Sequence, residues 1–310
     1  MSADRRRFLK ALSLLPIAAT ARSEPLASGA GEHARAPGSK FKSSLNVYSF
    51  NSLLRDKKID LFDVLDFCAE HNFDAIDPTG YYFPGYPDVP SDELINRFKR
   101  SAFLMGLDIS GTGVRNDFAN PDAASRAADV AMIGEWIRVA AKLGSPNIRI
   151  FAGKNNHDGF SRDQVFEWMA KDIRACCEIG KEYGVMIALQ NHNNFLKTAA
   201  DVERVFDMVD SDWLGLNLDV GSFRQGDPYG EIEKTVKYAI TWQLKESVWI
   251  GGEETPTDFA KVLRIARNAD YRGYLPIETL GAGDPYEKIP ALLERIRNAG
   301  LGSDCMGVRT

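Results

Sequence analysis

From Leu45 onward, short runs of aliphatic and β-branched residues alternate with longer stretches whose apolar positions recur at helical spacing. The short runs are Leu45–Phe50, Ala75–Asp77, Leu107–Gly111, Asn147–Phe151, Met186–Gln190, Gly215–Asp219, Ile240–Lys245 and Tyr274–Glu278, and each predicts a strand. Between them, Phe62, Leu65 and Ala69, or Trp136, Val139, Ala140 and Leu143, fall on single helical faces. Gly144, Gly180 and Gly184 predict helix ends, because glycine takes the left-handed cap conformation without a steric penalty.

A strand followed by a helix, repeated, predicts a parallel sheet with helices packed outside it. Eight such units in about 260 residues match one (β/α)₈ TIM barrel, expected over 41–303, with 304–310 as a C-terminal tail. A doubly wound nucleotide-binding sheet fits less well. No Gly-x-Gly-x-x-Gly follows the first strand; Gly111-Thr112-Gly113 follows the third and lacks the last glycine, and no Walker A sequence is present.

Residues 1–40 have a different texture. Arg5-Arg6-Arg7-Phe8-Leu9-Lys10 precedes an apolar stretch, Ala11 to Ala21, that ends in Ala19-Thr20-Ala21. A stretch this short does not cross a hydrocarbon core of about 30 Å, so it predicts a cleaved signal rather than a membrane anchor. Its Arg-Arg-x-Phe-Leu-Lys order resembles the twin-arginine class of export signals, which implies a periplasmic or secreted protein. No cysteine follows the cleavage site to carry a lipid, and the Ala-, Gly-, Pro- and Ser-rich residues up to about Lys40 predict a flexible leader.

Charge and cysteine content narrow the function. With 44% hydrophobic and 26% charged residues the chain is an ordinary globular one, and a formal net charge of −5 offers no general attraction to nucleic acid. Cys68, Cys176, Cys177 and Cys305 have the spacing of neither a disulfide framework nor a zinc site.

In a barrel the chemistry sits at the carboxyl ends of the strands. Those ends are polar here: Tyr48-Ser49-Phe50-Asn51, Asp77, Arg149-Ile150-Phe151, Gln190-Asn191-His192, Asp219-Val220-Gly221-Ser222, Gln243-Leu244-Lys245-Glu246 and Glu278-Thr279. The segments Ile187–His192, Leu216–Gly221, Trp242–Glu246 and Tyr274–Glu278, in this order, resemble the xylose-isomerase-like barrels of sugar isomerases, epimerases and type-IV endonucleases, over nearly all of 41–300. In the sugar-processing members, a Glu, an Asp, a His and a Glu on the last four strands hold one divalent cation. The corresponding residues here are Gln190, Asp219, Gln243 and Glu278, so two carboxylates and two amides remain. An all-oxygen set implies magnesium, manganese or calcium rather than zinc, or no metal at all.

The resemblance implies a small-molecule sugar substrate. Since an amide is not basic near pH 7, Gln190 cannot serve as one of the two bases of a family epimerase. The expectation is instead a single base: Glu278 takes a proton next to a carbonyl, the metal or Lys245 stabilises the resulting oxyanion, and His192 contacts substrate or acts as an acid. His192 follows Gln190 by two and Lys245 follows Gln243 by two, so each shares its partner's strand face. Asp77, Arg149, His157 and Trp242 are expected to bind substrate, with Phe151, Tyr48, Tyr81, Tyr82 and Phe83 as further aromatic faces, about half of them at the mouth. The reading is an exported isomerase or epimerase-like enzyme. A keto-sugar lyase or hydratase and a carbohydrate-binding barrel without catalysis stay open as alternatives. The endonuclease branch needs more histidines than His33, His71, His157 and His192 provide.

Overall fold

A computed structural model describes residues 38–154 and 158–301. Most of the expected leader, the 304–310 tail and His157 lie outside the described residues. The main sheet has nine strands, all parallel: β1 (Lys40–Asn46), β2 (Ala75–Asp77), β3 (Asp108–Ile109), β4 (Thr112–Gly113), β5 (Asn147–Phe151), β6 (Met186–Gln190), β7 (Leu214–Asp219), β8 (Ala239–Lys245) and β11 (Arg272–Glu278). Their order is β3-β2-β1-β11-β8-β7-β6-β5-β4.

Nine strands and a (β/α)₈ barrel are compatible because β3 and β4 are two halves of one barrel strand. The chain bends at Ser110-Gly111, so β3 pairs with β2 and β4 pairs with β5. The bend brings Gly111 against its neighbours: an added Cβ would lie 3.0 Å from Asn147 Oδ1 and 3.4 Å from Asp77 Oδ1. The chain therefore bridges the two ends of the sheet, and the ring is nearly closed.

The first strand starts earlier than its apolar pattern suggests. Residues Val47–Phe50 form a 3₁₀ turn, and strand pairing covers Lys40–Asn46 instead. Ser43 and Ser44 are buried strand residues despite their polarity: the Ser43 hydroxyl donates to Asp74 at 2.7 Å, and the Ser44 and Ser110 hydroxyls meet at 2.7 Å.

Strand alternation separates two environments. Leu45, Ile76, Ile148, Ile150, Ile187, Leu189, Leu216, Leu218, Leu244, Leu275 and Ile277 are fully buried and form part of the hydrophobic core. Each such side chain contributes about 1.5–3 kcal/mol of burial free energy. Between them Asn46, Asp77, Arg149, Gln190, Asn217, Asp219, Gln243 and Glu278 are buried polar residues, joined by hydrogen bonds from strand to strand.

The helices are capped as their sequences suggest. Asp60 with Asp63, Ser161 with Gln164 and Thr198 with Asp201 form capping boxes at the starts of the helices Leu61–Glu70, Arg162–Tyr183 and Ala199–Val209. Gly144 and Gly184 end theirs at φ +80° and +68°. Gly180 does not end a helix: it lies within Arg162–Tyr183, where an added Cβ would come 2.4 Å from the Val185 carbonyl oxygen. Close packing, not capping, explains this glycine.

A hairpin interrupts the last part of the repeat. β9 (Ser247–Ile250) and β10 (Glu253–Pro256) pair antiparallel around Gly251-Gly252, whose φ values of +62° and +88° suit a tight hairpin turn. The hairpin follows β8 directly and carries Trp249 and Glu254 to the rim of the barrel mouth.

Candidate functional site

The ends of β6, β7, β8 and β11 bring Gln190, Asp219, Gln243, Lys245 and Glu278 into one buried cluster. Asp219 Oδ2 accepts from Gln190 Nε2 at 2.7 Å, Lys245 Nζ at 2.6 Å and Ser222 Oγ at 2.8 Å. Its Oδ1 accepts from the Gly221 amide at 3.0 Å. Asn191 holds the same turn from the neighbouring strand, since its side chain accepts from the Asp219 amide at 2.7 Å and donates to the Asp219 carbonyl at 3.0 Å.

Glu278 is approached from the other side. Gln243 Nε2 donates to its Oε1 at 2.6 Å, and Lys245 Nζ lies 3.4 Å from its Oε2. Asn217 Nδ2 donates to Gln243 Oε1 at 3.4 Å, which leaves the amide N–H of Gln243 for the carboxylate.

The path of Lys245 depends on Gly221. A Cβ there would meet Lys245 Cδ at 2.9 Å and the Ser247 carbonyl oxygen at 3.0 Å. The glycine two residues beyond Asp219 thus opens the channel through which the lysine reaches both acids.

The protonation states follow from this packing. Burial alone would push the Asp219 carboxyl up, but the charge and hydrogen bond of Lys245, with His192 and Ser222, hold it below the usual carboxylate range. Glu278 shows the opposite balance: burial raises it and Asp219 adds to the rise, while Lys245 and Gln243 offset only part. Burial also works against the Lys245 ammonium, yet Asp219 and Glu278 keep it protonated well above an ordinary lysine. Burial holds His192 below its usual value, so its imidazole is neutral near pH 7.

A divalent cation fits this arrangement poorly. Among the described residues no three His, Cys, Asp or Glu side chains could hold a metal ion. The two carboxylates are instead bridged by an ammonium, and both glutamine amides turn N–H donors toward them. As arranged, these groups surround an ammonium, where the sequence suggests magnesium, manganese or calcium, or no metal at all.

Above the cluster opens a cavity of about 290 Å³ at the carboxyl ends of the strands. Glu278, Lys245, Gln190, Gln243, His192 and Arg149 line it, while Asp219 lies fully buried behind them. Tyr48, Tyr81 and Phe151 supply aromatic walls, and the His192 ring stands edge-on to Phe151 at 5.4 Å. Among the described residues, buried His192 Nδ1 has no hydrogen-bond partner.

The other expected substrate contacts lie elsewhere. Asp77 is buried beside the cluster, accepts from Asn46 Nδ2 at 3.0 Å, and is pushed up to about 6, chiefly by burial. Trp242 is a correction. It is fully buried in the core with its ring 5.6 Å from that of Tyr271, on the strand face opposite Gln243 and Lys245, so it offers no surface to a sugar. Phe83 is also buried, against Phe98 and Trp136, and Tyr82 faces a separate cavity and donates to Asn51.

Arg115 and Arg224 line the cavity without having been anticipated from the sequence. Both lie in loops that follow barrel strands, β4 and β7, and inspection of every such loop for charged residues would have found them.

The chain belongs to the xylose isomerase-like TIM barrel family, whose model matches residues 65–299. Among solved structures it is similar to D-psicose 3-epimerase from Clostridium cellulolyticum H10, with a TM-score of 0.71 and 16% identity over 84% of this chain and 100% of that one. It is also similar to 3-keto-D-glucoside 4-epimerase from E. coli, with a TM-score of 0.65 and 15% identity over 84% and 99%. The probable 3-DHS dehydratase of petrobactin synthesis from Bacillus anthracis matches with a TM-score of 0.64 and 18% identity over 83% and 99%. At these identities the likeness is one of fold. No curated protein matches the chain.

Proposed function

We propose that this protein is a sugar isomerase or epimerase-type enzyme that acts on a keto-sugar by removing a proton from carbon next to the carbonyl. The observation that carries the reading is the geometry of Glu278: a buried carboxylate on the cavity wall, raised in pKa, with the Lys245 ammonium 3.4 Å away. A base needs a pKa brought toward the working pH, and an oxyanion needs a cation fixed in place before it forms.

In the first step the Glu278 carboxylate takes the proton, and the C–H electron pair moves into the bond to the carbonyl carbon. The carbonyl oxygen becomes an enediolate oxygen, which Lys245 stabilises. Return of the proton to the former carbonyl carbon, with the neighbouring hydroxyl passing its proton to the enediolate oxygen and becoming the new carbonyl, isomerises the sugar; return to the opposite face of the same carbon re-forms the original carbonyl and epimerises it. Neutral His192, which lines the same cavity, is the second proton carrier.

The test is isotope exchange. Keto-sugars incubated in D₂O with the protein are expected to gain deuterium next to the carbonyl, read by NMR, and Glu278→Gln is expected to slow this by about 10²–10⁴-fold. Undiminished exchange in Glu278→Gln removes Glu278 from the role of base. β-Elimination shares the first step but expels a leaving group in the second; ultraviolet absorbance from a conjugated enone product distinguishes it. A binding protein without catalysis would give no exchange with any keto-sugar.

The reading also places the reaction outside the cytoplasm, on the strength of Arg5-Arg6-Arg7-Phe8-Leu9-Lys10 and the apolar run after it. Cell fractionation tests this: replacing Arg5 and Arg6 by lysine is expected to retain the protein in the cytoplasm.

A further inference from the structure

The cavity carries more positive charge than proton transfer uses. Arg115, Arg149, Arg224 and Lys245 line it against one carboxylate, Glu278, in a chain whose formal net charge is −5. Lys245 is already engaged by Asp219 and Glu278. The three guanidiniums are not engaged by any acid: among the described residues, none has a carboxylate oxygen within 4.0 Å.

Each is held instead by an aromatic face. Arg115 lies 4.1 Å over the Tyr81 ring, Arg149 lies 5.9 Å from the same ring and 4.2 Å over Phe151, and Arg224 lies 4.6 Å over Trp249. Stacking fixes the plane of a guanidinium while leaving its N–H edge free for a ligand.

Arg149 is the strongest indicator because it is only 6% exposed. Among the described residues, one of its donors is used, Nη1 to the Val114 carbonyl at 2.6 Å. Its place is built into the sheet: a Cβ on Gly113 would lie 2.9 Å from Arg149 Cζ. The nearby Asp77 carboxyl feels the Arg149 charge but does not pair with it. A buried guanidinium with unused donors facing a cavity is matched by an oxyanion, whose two or three oxygens fit its fork.

We propose that the substrate carries an anionic oxygen group, a carboxylate or a phosphate monoester, which binds against Arg149 and Arg115 beside Tyr81 while its carbonyl end meets Glu278 and Lys245. Arg224 adds to the positive field from the loop after β7. The substrate class is thus an acidic keto-sugar rather than a neutral one. This rests on the proposed sugar-binding role of the cavity but not on the proton-transfer step, so a binding measurement separates the two.

The experiment is calorimetric titration of full-length Glu278→Gln protein with D-glucuronate, D-glucose 6-phosphate and neutral D-glucose. At least one anion is expected to bind tenfold or more tightly than glucose, with a preference that shrinks as salt is added. A preference for glucuronate alone assigns a carboxylate, and one for the sugar phosphate alone assigns a phosphate ester. Adding Arg115→Met, at the exposed rim, is expected to remove most of the preference while thermal stability stays unchanged, and Gly113→Ala, which displaces the buried Arg149 guanidinium, is expected to remove most of it with some loss of stability. Equal binding of all three sugars, no measurable binding of either anion, or a preference that survives both substitutions overturns the proposal. Isotope exchange on neutral keto-sugars alongside any of these three results would sink the anion site and leave the proton-transfer reading intact.

Discussion

Lys245 Nζ lies 2.6 Å from Asp219 Oδ2 and 3.4 Å from Glu278 Oε2, so one ammonium serves two buried carboxylates at the floor of the barrel mouth. The side chain of Asp219 is wholly buried and that of Lys245 only 13% exposed. Charges this far from water are tolerated because each has its counter-ion in place.

Removing the lysine therefore strands two acids. Lys245→Met is expected to destabilise the fold by about 3–5 kcal/mol, the range for one buried partner taken away from an ion pair. Adding Asp219→Asn to that variant is expected to recover part of the loss. Urea denaturation measures both, and full stability of Lys245→Met would contradict the bridging role.

The same ammonium bears on metal dependence. Where Lys245 supplies the cation, treatment with EDTA is expected to leave isotope exchange and melting temperature unchanged. A divalent ion at 100 times its dissociation constant would otherwise add about 2.7 kcal/mol of stability. A melting temperature raised by millimolar magnesium, manganese or calcium would show that the cluster rearranges to accept a metal.

Asp77 gives the protein a specific pH response. Its folded-state value, about 6, lies above the 3.8 of an unfolded aspartate, so the folded state binds the proton more tightly. Its contribution is fully present below pH 3.8 and is lost as the pH rises through 6. Relative to Asp77→Asn, the wild type is expected to lose about 3 kcal/mol of stability between pH 3.5 and 7. Denaturation of the two proteins across that range checks it; parallel curves would argue against a raised Asp77.

Trp242 and Tyr81 are expected to respond in opposite ways. Trp242→Ala empties a fully buried site, at about 3–5 kcal/mol in stability, without altering how the cavity binds sugars. Tyr81→Ala removes a cavity wall and the face beneath Arg115, so ligand affinity is expected to fall. Denaturation paired with ligand titration of both variants separates core from site.

Much of the barrel is legible because its signals are local. The strands Ala75–Asp77, Asn147–Phe151 and Met186–Gln190 have the same bounds in the structure as in the periodicity of the chain. The first strand was harder to read, since Ser43 and Ser44 are polar residues buried inside the ring, where hydroxyl pairing replaces apolar burial. For Trp242 the strand period itself carries the answer: a residue adjacent to Gln243 in a strand faces away from whatever Gln243 faces. Arg115 and Arg224 occupy irregular loops and share no spacing rule with the strand-end residues.

By itself the sequence determined the repeating strand–helix unit, and with it the mouth at which Gln190, Asp219, Gln243 and Glu278 collect, because side-chain periodicity is a property of neighbouring residues. The tertiary structure alone decided which cation stands among them. Lys245 reaches Asp219 across 26 positions of chain, and Gln243 reaches Glu278 across 35, through contacts that exist only once the ring has curved. Whether an ammonium can sit there depends on distances of about 3 Å and on the space left by Gly221, and neither is encoded in the spacing of residues along the chain.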